Sequence, residues 1–253
     1  MKILMSDFDK TFFYGFEYSD KLRAAVKRWK DAGNIIAIST ARSACRMRET
    51  ALQIGLDCDY YICEHGNVIY DKDWRSVSFS VPDKDELMDI FTRLSQADYS
   101  HISVADGLTE YAVGKGEPYE RETPVTAEEM YKVTDRPASI HVTMKSKDML
   151  EALCSEINSN EKSTVFAHYW GGKGAFFFRR HNDKATGGYK LLRIVGGRKE
   201  DVYAIGDSDG DVPMFREFKG YAMSCASEEV KAEALGCYDT VGDLIDALLA
   251  QGE

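Results

Sequence analysis

The stretch Lys2-Ile3-Leu4-Met5-Ser6-Asp7-Phe8-Asp9-Lys10-Thr11 determines how the rest of the chain is interpreted. A short apolar run that ends on two carboxylates is typical of a buried parallel strand that stops at the carboxyl edge of a sheet. Open α/β sheets bind their ligands at that edge. Asp7 and Asp9 alternate with Phe8, so both leave the strand on the same side, where two acids repel each other unless a cation lies between them. The pair alone is equally compatible with an acidic turn that caps the next element.

The composition is that of a globular protein that does not act on nucleic acids. The chain has 253 residues, of which 44% are hydrophobic and 11% aromatic, enough to fill a core. Its formal net charge of -10 offers no basic surface to displace counterions from nucleic acid phosphates. No apolar stretch approaches membrane-spanning length, so no membrane partner is expected. A small anionic substrate would need local positive charge or a metal ion.

The cysteine pattern indicates free thiols. Six cysteines are scattered along the chain without a CxxC pair: Cys45, Cys58, Cys63, Cys154, Cys225 and Cys237. This spacing fits neither a zinc site nor a disulfide framework. We therefore expect buried free thiols in a cytoplasmic protein. The protein is expected to be a monomer or a homodimer.

The first part of the chain alternates between helix and strand patterns. Residues 19–32 have helical periodicity, with Ser19 as the predicted N-cap, and residues 34–39 form an apolar run that ends in Thr40-Ala41-Arg42. A second helix is predicted over residues 44–54 and a strand over residues 60–63. Strand, helix and strand in this order indicate a parallel α/β sheet.

The pattern changes between residues 82 and 181. Three predicted helices, over residues 84–95, 127–133 and 147–158, alternate with strands in adjacent pairs. The predicted strands cover residues 101–104, 110–113, 140–144, 165–170 and 175–180. Adjacent strands joined by short turns favour an antiparallel sheet. We therefore predict an α/β protein with a Rossmann-like parallel core, residues 1–81 and 182–253, and an inserted α+β domain, residues 82–181.

From Gly188 the parallel pattern returns, beginning with a helix. A predicted helix stops at Gly196, and the strand over residues 202–205 runs into a second acidic turn that contains Asp207, Asp209 and Asp211. If the strands are neighbours, this turn, the Asp7/Asp9 turn and Thr40 meet at one sheet edge. Four carboxylates there require a divalent cation, and oxygen ligands favour Mg²⁺. Lys184, predicted to precede the helix, would offset part of the charge, and Asp209 is expected to face solvent.

In sequence order, these features resemble the motifs of haloacid dehalogenase (HAD) superfamily phosphatases of the Cof type. Asp7-Phe8-Asp9-Lys10-Thr11 resembles the first motif, DxDxT, and Ile38-Ser39-Thr40-Ala41-Arg42 resembles the second, which carries a hydroxyl group. Lys184 occupies the place of the third-motif lysine. Gly206-Asp207-Ser208-Asp209-Gly210-Asp211 is similar to the fourth motif, GDSxND. The motifs cover both ends of the chain, and the middle, which would be the cap domain, matches only in element order.

The resemblance implies a mechanism with an aspartyl-phosphate intermediate. Asp7 would be the nucleophile, and Asp9 would act first as a general acid and then as a general base. The implied Mg²⁺ ligands are Asp7, Asp9 through its carbonyl group, Asp207 and Asp211. Thr40 and Lys184 would be catalytic as well, and the residues expected to bind the phosphoryl group are Thr11, Thr40, Ala41, Arg42 and Lys184. The substrate would be a small phosphorylated metabolite, a sugar phosphate or a cofactor phosphate.

Four positions depart from the family pattern. Lys10 stands where the family usually has glycine, and His65 replaces the asparagine of an Asn-Gly-Ala turn. Gly210 and Cys225 each replace a customary asparagine. These changes affect hydrogen bonds near the phosphate and leave the positions of the nucleophile, acid, lysine and metal ligands filled.

Three other functions remain open at this point. A phosphomutase or phosphotransferase would deliver the same phosphoryl group to a sugar hydroxyl group instead of water. A signalling receiver module also has an acidic pair after its first strand, but it is much shorter, and Glu64 stands where its phosphoacceptor is expected. A non-catalytic sensor of phosphorylated ligands on the same fold is the third.

Substrate choice is expected to depend on the inserted domain. The segment Tyr169-Trp170-Gly171-Gly172-Lys173 combines aromatic rings with a cation, as a ligand that carries a ring and a phosphate would require.

Overall fold

The computed structural model of the protein describes residues 1–14, 17–114, 122–170, 172 and 174–250. The chain forms two compact units. The first consists of Met1–Ala41, Thr50–Ser78 and Asp183–Glu253. The second consists of Arg42–Glu49 and Phe79–Asn182. Residues 42–49 thus group with the second unit, although the predicted inserted domain begins only at residue 82.

An eight-stranded sheet is the basis of the first unit, and it confirms the prediction of a parallel α/β core. Its strands are β1 (Ile3–Ser6), β2 (Ile35–Ser39), β3 (Tyr60–Cys63), β4 (Val68–Asp71), β5 (Ser76–Phe79), β12 (Val202–Gly206), β13 (Lys219–Met223) and β14 (Cys237–Tyr238). The spatial order is β14-β13-β12-β1-β2-β3-β4-β5. The six strands from β14 to β3 are parallel, and β4 is antiparallel to β3. The opening strand β1 therefore lies at the centre, fully buried between β2 and β12.

Helices connect these strands as the sequence pattern predicts. They are α1 (Asp20–Asp31), α2 (Ala44–Ile54), α6 (Lys184–Val195), α7 (Val212–Glu217), α8 (Glu228–Ala232) and α9 (Val241–Ala250). Ser19 caps α1, because its side chain accepts a hydrogen bond from the backbone N–H of Leu22 at 3.3 Å. Leu22, Ala25 and Trp29 share one buried face of this helix, as its apolar periodicity predicts.

A six-stranded sheet is the basis of the second unit. Its strands are β6 (Tyr99–Asp106), β7 (Thr109–Gly114), β8 (Thr123–Pro124), β9 (Ser139–Met144), β10 (Val165–Tyr169) and β11 (Gly174–Arg179), in the order β10-β11-β9-β6-β7-β8. All described pairs are antiparallel except β7 with β8. The helices are α3 (Lys84–Ser95), α4 (Ala127–Val133) and α5 (Lys147–Ser159). Alternate residues such as Ile102 and Val142 share one buried core with residues of these helices, and His101 and His141 occupy the opposite face.

The structure differs from the sequence-based expectation in three respects. Helix α6 begins at Lys184 itself, so this lysine lies in the first helical turn and not before the helix. The short strands β5 and β8 were not predicted. Cys225 and Cys237 are exposed, which corrects the expectation that the cysteines are buried; all six are free thiols. Among the residues described, no helix combines the length and apolar composition needed to cross a bilayer.

Candidate active site

Two neighbouring strands bring the acidic turns together. Strands β1 and β12 are paired in parallel with Ser6 opposite Ile205, so Asp7 and Asp207 leave the same sheet edge. The backbone N–H of Asp7 donates to the carbonyl of Ile205 at 2.9 Å, which extends the pairing of the two strands to Asp7. Asp7, Asp207 and Asp211 each present a carboxylate oxygen, and these three oxygens lie within 4.8 Å of one another. The edge thus carries a compact group of acids.

Lys184 is the cation of this group. Its ammonium donates to Oδ1 of Asp7 at 2.5 Å and to Oδ1 of Asp211 at 2.5 Å. Burial lowers the pKa of Lys184, but the charges of Asp211 and Asp7 outweigh burial and hold the pKa above its ordinary value. Burial raises the pKa of Asp7 to about 7, although the Lys184 charge opposes that rise. The lysine is therefore charged at neutral pH and stabilises the ionised form of Asp7.

Helix α6 delivers Lys184 because its first turn packs tightly against the sheet. Asp183 caps the helix by accepting a hydrogen bond from the N–H of Thr186 at 2.7 Å. A Cβ atom on Gly187 would lie 2.5 Å from Cγ2 of Ile62, closer than a side chain tolerates. Glycine at this position allows the close approach of the helix to β3, and this approach places the Lys184 side chain at the sheet edge.

Asp211 belongs to the group of three carboxylates and also stabilises the second acidic turn through hydrogen bonds. Its Oδ2 accepts hydrogen bonds from the N–H groups of Asp207 and Ser208 at 3.1 and 3.0 Å and from the Ser208 hydroxyl group at 2.9 Å. The side chain packs on Gly206, where a Cβ atom would lie 2.2 Å from Cγ of Asp211. Asp211 is fully buried and Asp209 is exposed, as predicted for Asp209.

The remaining residues of the first two motifs lie in the turns after β1 and β2. Thr11, which is predicted to bind phosphate, is buried, and its hydroxyl group donates to Oδ1 of Asp207 at 3.0 Å. Asp9 is half-buried. Thr40 is buried, and its backbone N–H donates to the carbonyl of Ile62 at 2.8 Å. The Thr11 contact was not predicted, because sequence spacing alone does not show which acid a hydroxyl group meets.

Ala41 and Arg42 form the bend between β2 and α2, and both are half-buried. Ala41 is the last residue of a first-unit segment, and Arg42 is the first residue of the second unit. The two residues predicted to bind the phosphoryl group beside Thr40 therefore lie where the chain passes from one unit to the other.

The acids fit a magnesium ion. Magnesium binds oxygen ligands at about 2.1 Å, so two opposite ligands of one ion are about 4 Å apart, close to the spacing of these carboxylates. When ionised, Asp7, Asp207 and Asp211 carry three negative charges against the single positive charge of Lys184. Burial also raises the pKa of Asp207, because a carboxylate removed from water loses part of the hydration that stabilises its charge.

The family of the chain follows from comparison with known proteins. A family model described as haloacid dehalogenase-like hydrolase matches residues 4–243. The chain belongs to this family. The resemblance to HAD enzymes of the Cof type, identified from the motifs, is thereby confirmed.

Solved structures of HAD-like proteins share the fold over nearly the whole chain. A haloacid dehalogenase-like hydrolase from B. subtilis is 19% identical, with a TM-score of 0.83 over 98% of this chain and 100% of its own. A second haloacid dehalogenase-like hydrolase, from Bacteroides thetaiotaomicron, is 18% identical, with a TM-score of 0.84 over 98% of this chain and 99% of its own. The HAD subclass IIB sugar phosphatase BT4131 is also 18% identical, with a TM-score of 0.79 over 98% of this chain and 99% of its own.

One curated relative matches over a short segment. A phosphoglycolate phosphatase from Nitrosopumilus maritimus (strain SCM1) is 43% identical over 53 residues, which make up 21% of this chain and 23% of the relative.

Proposed function

We propose that this HAD-family enzyme is a magnesium-dependent phosphatase that hydrolyses a small phosphorylated metabolite through an aspartyl-phosphate intermediate. The observation that carries the proposal is the placement of Asp7. This carboxylate is buried at the sheet edge, paired with Lys184 at 2.5 Å, and lies beside two further acids that could share a cation. A carboxylate held in this way can act as a nucleophile toward a phosphoryl group whose charge is neutralised on several sides.

In the first step, Asp7 attacks phosphorus and the bond to the leaving oxygen breaks. Asp9, two residues further along the same turn, donates a proton to the leaving oxygen. In the second step, Asp9 accepts a proton from the water that hydrolyses the aspartyl phosphate. Both halves of the reaction thus use carboxylates that come from one turn after β1.

Lys184 and Thr40 hold the phosphoryl oxygens while these steps occur, together with the Ala41–Arg42 bend. Asp7, the Asp9 carbonyl, Asp207 and Asp211 would hold Mg²⁺, which supplies positive charge that offsets repulsion between nucleophile and phosphate. Thr11 contributes by fixing the carboxylate of Asp207 through its hydrogen bond. Most of the catalysis is positioning and charge stabilisation.

We assign substrate choice to the second unit, acting as a cap, and expect a sugar phosphate or a cofactor phosphate. Phosphatase names among the similar proteins support this class. Trp170 is 43% exposed, and its ring lies 5.2 Å from that of His141 and 4.4 Å from that of Phe176. This exposed aromatic group suits a ligand that carries a ring. Gly171 and Lys173 of the predicted specificity segment lie outside the described residues.

The test is release of phosphate from p-nitrophenyl phosphate and from a panel of sugar, nucleotide and cofactor phosphates. We expect turnover that requires Mg²⁺, stops with a chelator and is absent in Asp7→Asn. Steady turnover by Asp7→Asn would contradict the mechanism. Transfer to an added sugar hydroxyl group in preference to water would identify a phosphotransferase, and tight ligand binding with no turnover would identify a sensor.

A further inference from the structure

The turn that follows β1 is closed by backbone hydrogen bonds onto its own first residues. The N–H of Phe12 donates to the carbonyl of Asp7 at 3.2 Å, and the N–H of Phe13 donates to the carbonyl of Phe8 at 2.8 Å. Between these pairs the chain passes through Lys10, whose φ of 62° lies in the left-handed region. The turn therefore carries Phe13 back to the residues that follow the strand.

Phe13 contacts this part of the chain through its backbone and through its ring. Its backbone forms a parallel β-bridge with Asp9. Its ring is stacked on the ring of Phe8, with ring centroids 5.2 Å apart and an angle of 8° between the ring planes. Phe8 is fully buried, whereas Phe13 and Asp9 are half-buried. All three residues belong to the first unit.

Asp9 lies inside a small closed loop. The loop covers residues 8–13, and its two ends are joined by the hydrogen bond and the ring stack between Phe8 and Phe13. A loop closed over so few residues has few accessible backbone conformations, so the position of Asp9 is restricted as well. Stacked aromatic rings also favour a defined offset and angle, which opposes a tilt of one loop end against the other.

The backbone at Lys10 depends on this closure. A residue other than glycine keeps a left-handed φ only where surrounding contacts hold it there. Lys10 follows Asp9 directly in the chain. If the ring stack were lost, the loop could relax at Lys10, and Asp9 would move with it.

We propose that Phe13 is a positioning residue, which holds the Asp9 carboxylate in place for proton transfer to the leaving oxygen. This role rests on the proposed function, because it assumes that Asp9 is the general acid. Phe13 acts through the ring of Phe8 and the backbone of Asp9, and not on the reacting atoms themselves. Such a role affects the rate, because a reacting group misplaced by about 1 Å can lose much of its effect.

Substrates with different leaving groups test this role, because they differ in their need for the acid. The oxygen that leaves an alkyl phosphate ester must be protonated, whereas nitrophenolate leaves p-nitrophenyl phosphate without a proton. The value of kcat/KM reflects the steps up to release of the leaving group, so later hydrolysis of the aspartyl phosphate does not affect it. Both values are measured on one enzyme sample, and their ratio is therefore independent of the folded fraction.

The first variant is Phe13→Leu, which keeps an apolar side chain and removes the ring. We expect kcat/KM to fall about tenfold on the alkyl ester that the wild type hydrolyses fastest, which is part of the roughly 100-fold or more that a general acid contributes. On p-nitrophenyl phosphate the value should fall less than about threefold. Phe13→Met should change the ratio in the same direction, and it replaces the leucine variant if that variant does not fold.

Two further variants are the controls. Phe13→Tyr keeps the ring and should leave the ratio within about twofold of the wild type. Tyr14→Leu makes the same kind of change in the next residue, which is 56% exposed, and should also leave the ratio within about twofold.

Equal losses on both substrates in Phe13→Leu, or an unchanged ratio, would overturn the positioning role. A shift in Tyr14→Leu or Phe13→Tyr as large as that in Phe13→Leu would overturn it too. A wild-type protein that hydrolyses no alkyl phosphate ester, or an Asp9→Asn variant with the wild-type ratio, would refute the proposed function and this role with it. A wild-type ratio in Phe13→Leu beside a lowered ratio in Asp9→Asn refutes the positioning role alone.

Discussion

At the scale of single residues, the sequence was enough to predict which charged side chains of the motifs meet. It was not enough to predict which hydrogen bonds hold the surrounding residues. Short apolar strands before the two acidic turns predicted that the turns share one sheet edge. The structure does bring Asp7, Asp207 and Asp211 together there, with Lys184 beside them. The sequence contains no sign that Ser43 and Arg46 donate hydrogen bonds to Glu110, which lies 67 and 64 residues further along the chain. Such contacts depend on packing between elements, and no local spacing encodes them.

Lys10 shows why the family prefers glycine at its position. The residue has φ of 62°, in the left-handed region that costs an L-residue about 1 kcal/mol or more. We predict that Lys10→Gly is more stable than the matched variant Lys10→Ala by about 1 kcal/mol, because only glycine relieves the backbone. Denaturant unfolding measures the difference. A more stable alanine variant would show that this backbone conformation carries no strain.

The acids of the second turn are predicted to differ in their effect on magnesium. Asp207→Asn should raise the half-activating Mg²⁺ concentration at least about tenfold, since losing a direct ligand costs no less than losing an outer partner. Asp209 is exposed and serves as the matched control, so Asp209→Asn should change that concentration less than about threefold. A magnesium titration of phosphatase activity decides the matter. Equal shifts in the two variants would place Asp209 among the ligands.

At the scale of elements, the bounds of several helices were predictable to the residue. The predicted bounds of α2, α3 and α4 agree with the structure, and Asp83 and Thr126 cap the latter two. The start of α6 was placed too late, because the Gly187-Gly188 pair resembles a helix break. Tertiary packing overrides this weak local propensity. Strand β8 has two residues, one of them Pro124, and leaves no periodic signal.

The packing of α6 on the sheet gives a prediction at this scale. Gly187→Ala places a methyl group 2.5 Å from Ile62, which should displace the first turn, move Lys184 away from Asp7, and cost about 1–3 kcal/mol of stability. The control is Gly242→Ala in α9, where the nearest contact of a Cβ atom would be 3.5 Å. The turnover rate and the free energy of unfolding, measured with denaturant, should both fall in Gly187→Ala and should not fall in Gly242→Ala. Normal activity in this variant would show that Lys184 does not depend on the close approach.

At the scale of the whole molecule, the order of elements along the chain carried most of the information. Parallel patterns at both ends and paired strands in the middle predicted an α/β core with an inserted α+β domain, and the fold agrees. The grouping of residues 42–49 with the second unit was not predictable, because it results from contacts between α2 and distant strands. Sequence patterns predict domains as continuous stretches of chain, whereas the compact units of the structure are defined by contacts between residues that can be far apart in the chain.

The most direct test of the account is whether Asp7 becomes phosphorylated. Asp9→Asn should still accept a phosphoryl group from p-nitrophenyl phosphate, because nitrophenolate leaves without a proton, but it should hydrolyse the intermediate slowly. Intact-protein mass spectrometry of this variant, mixed with the substrate and Mg²⁺, should show one added phosphoryl group, with fragmentation placing it on Asp7. The double variant with Asp7→Asn should show none. An unmodified Asp9→Asn protein that turns over substrate, or an adduct that persists without Asp7, would contradict the account.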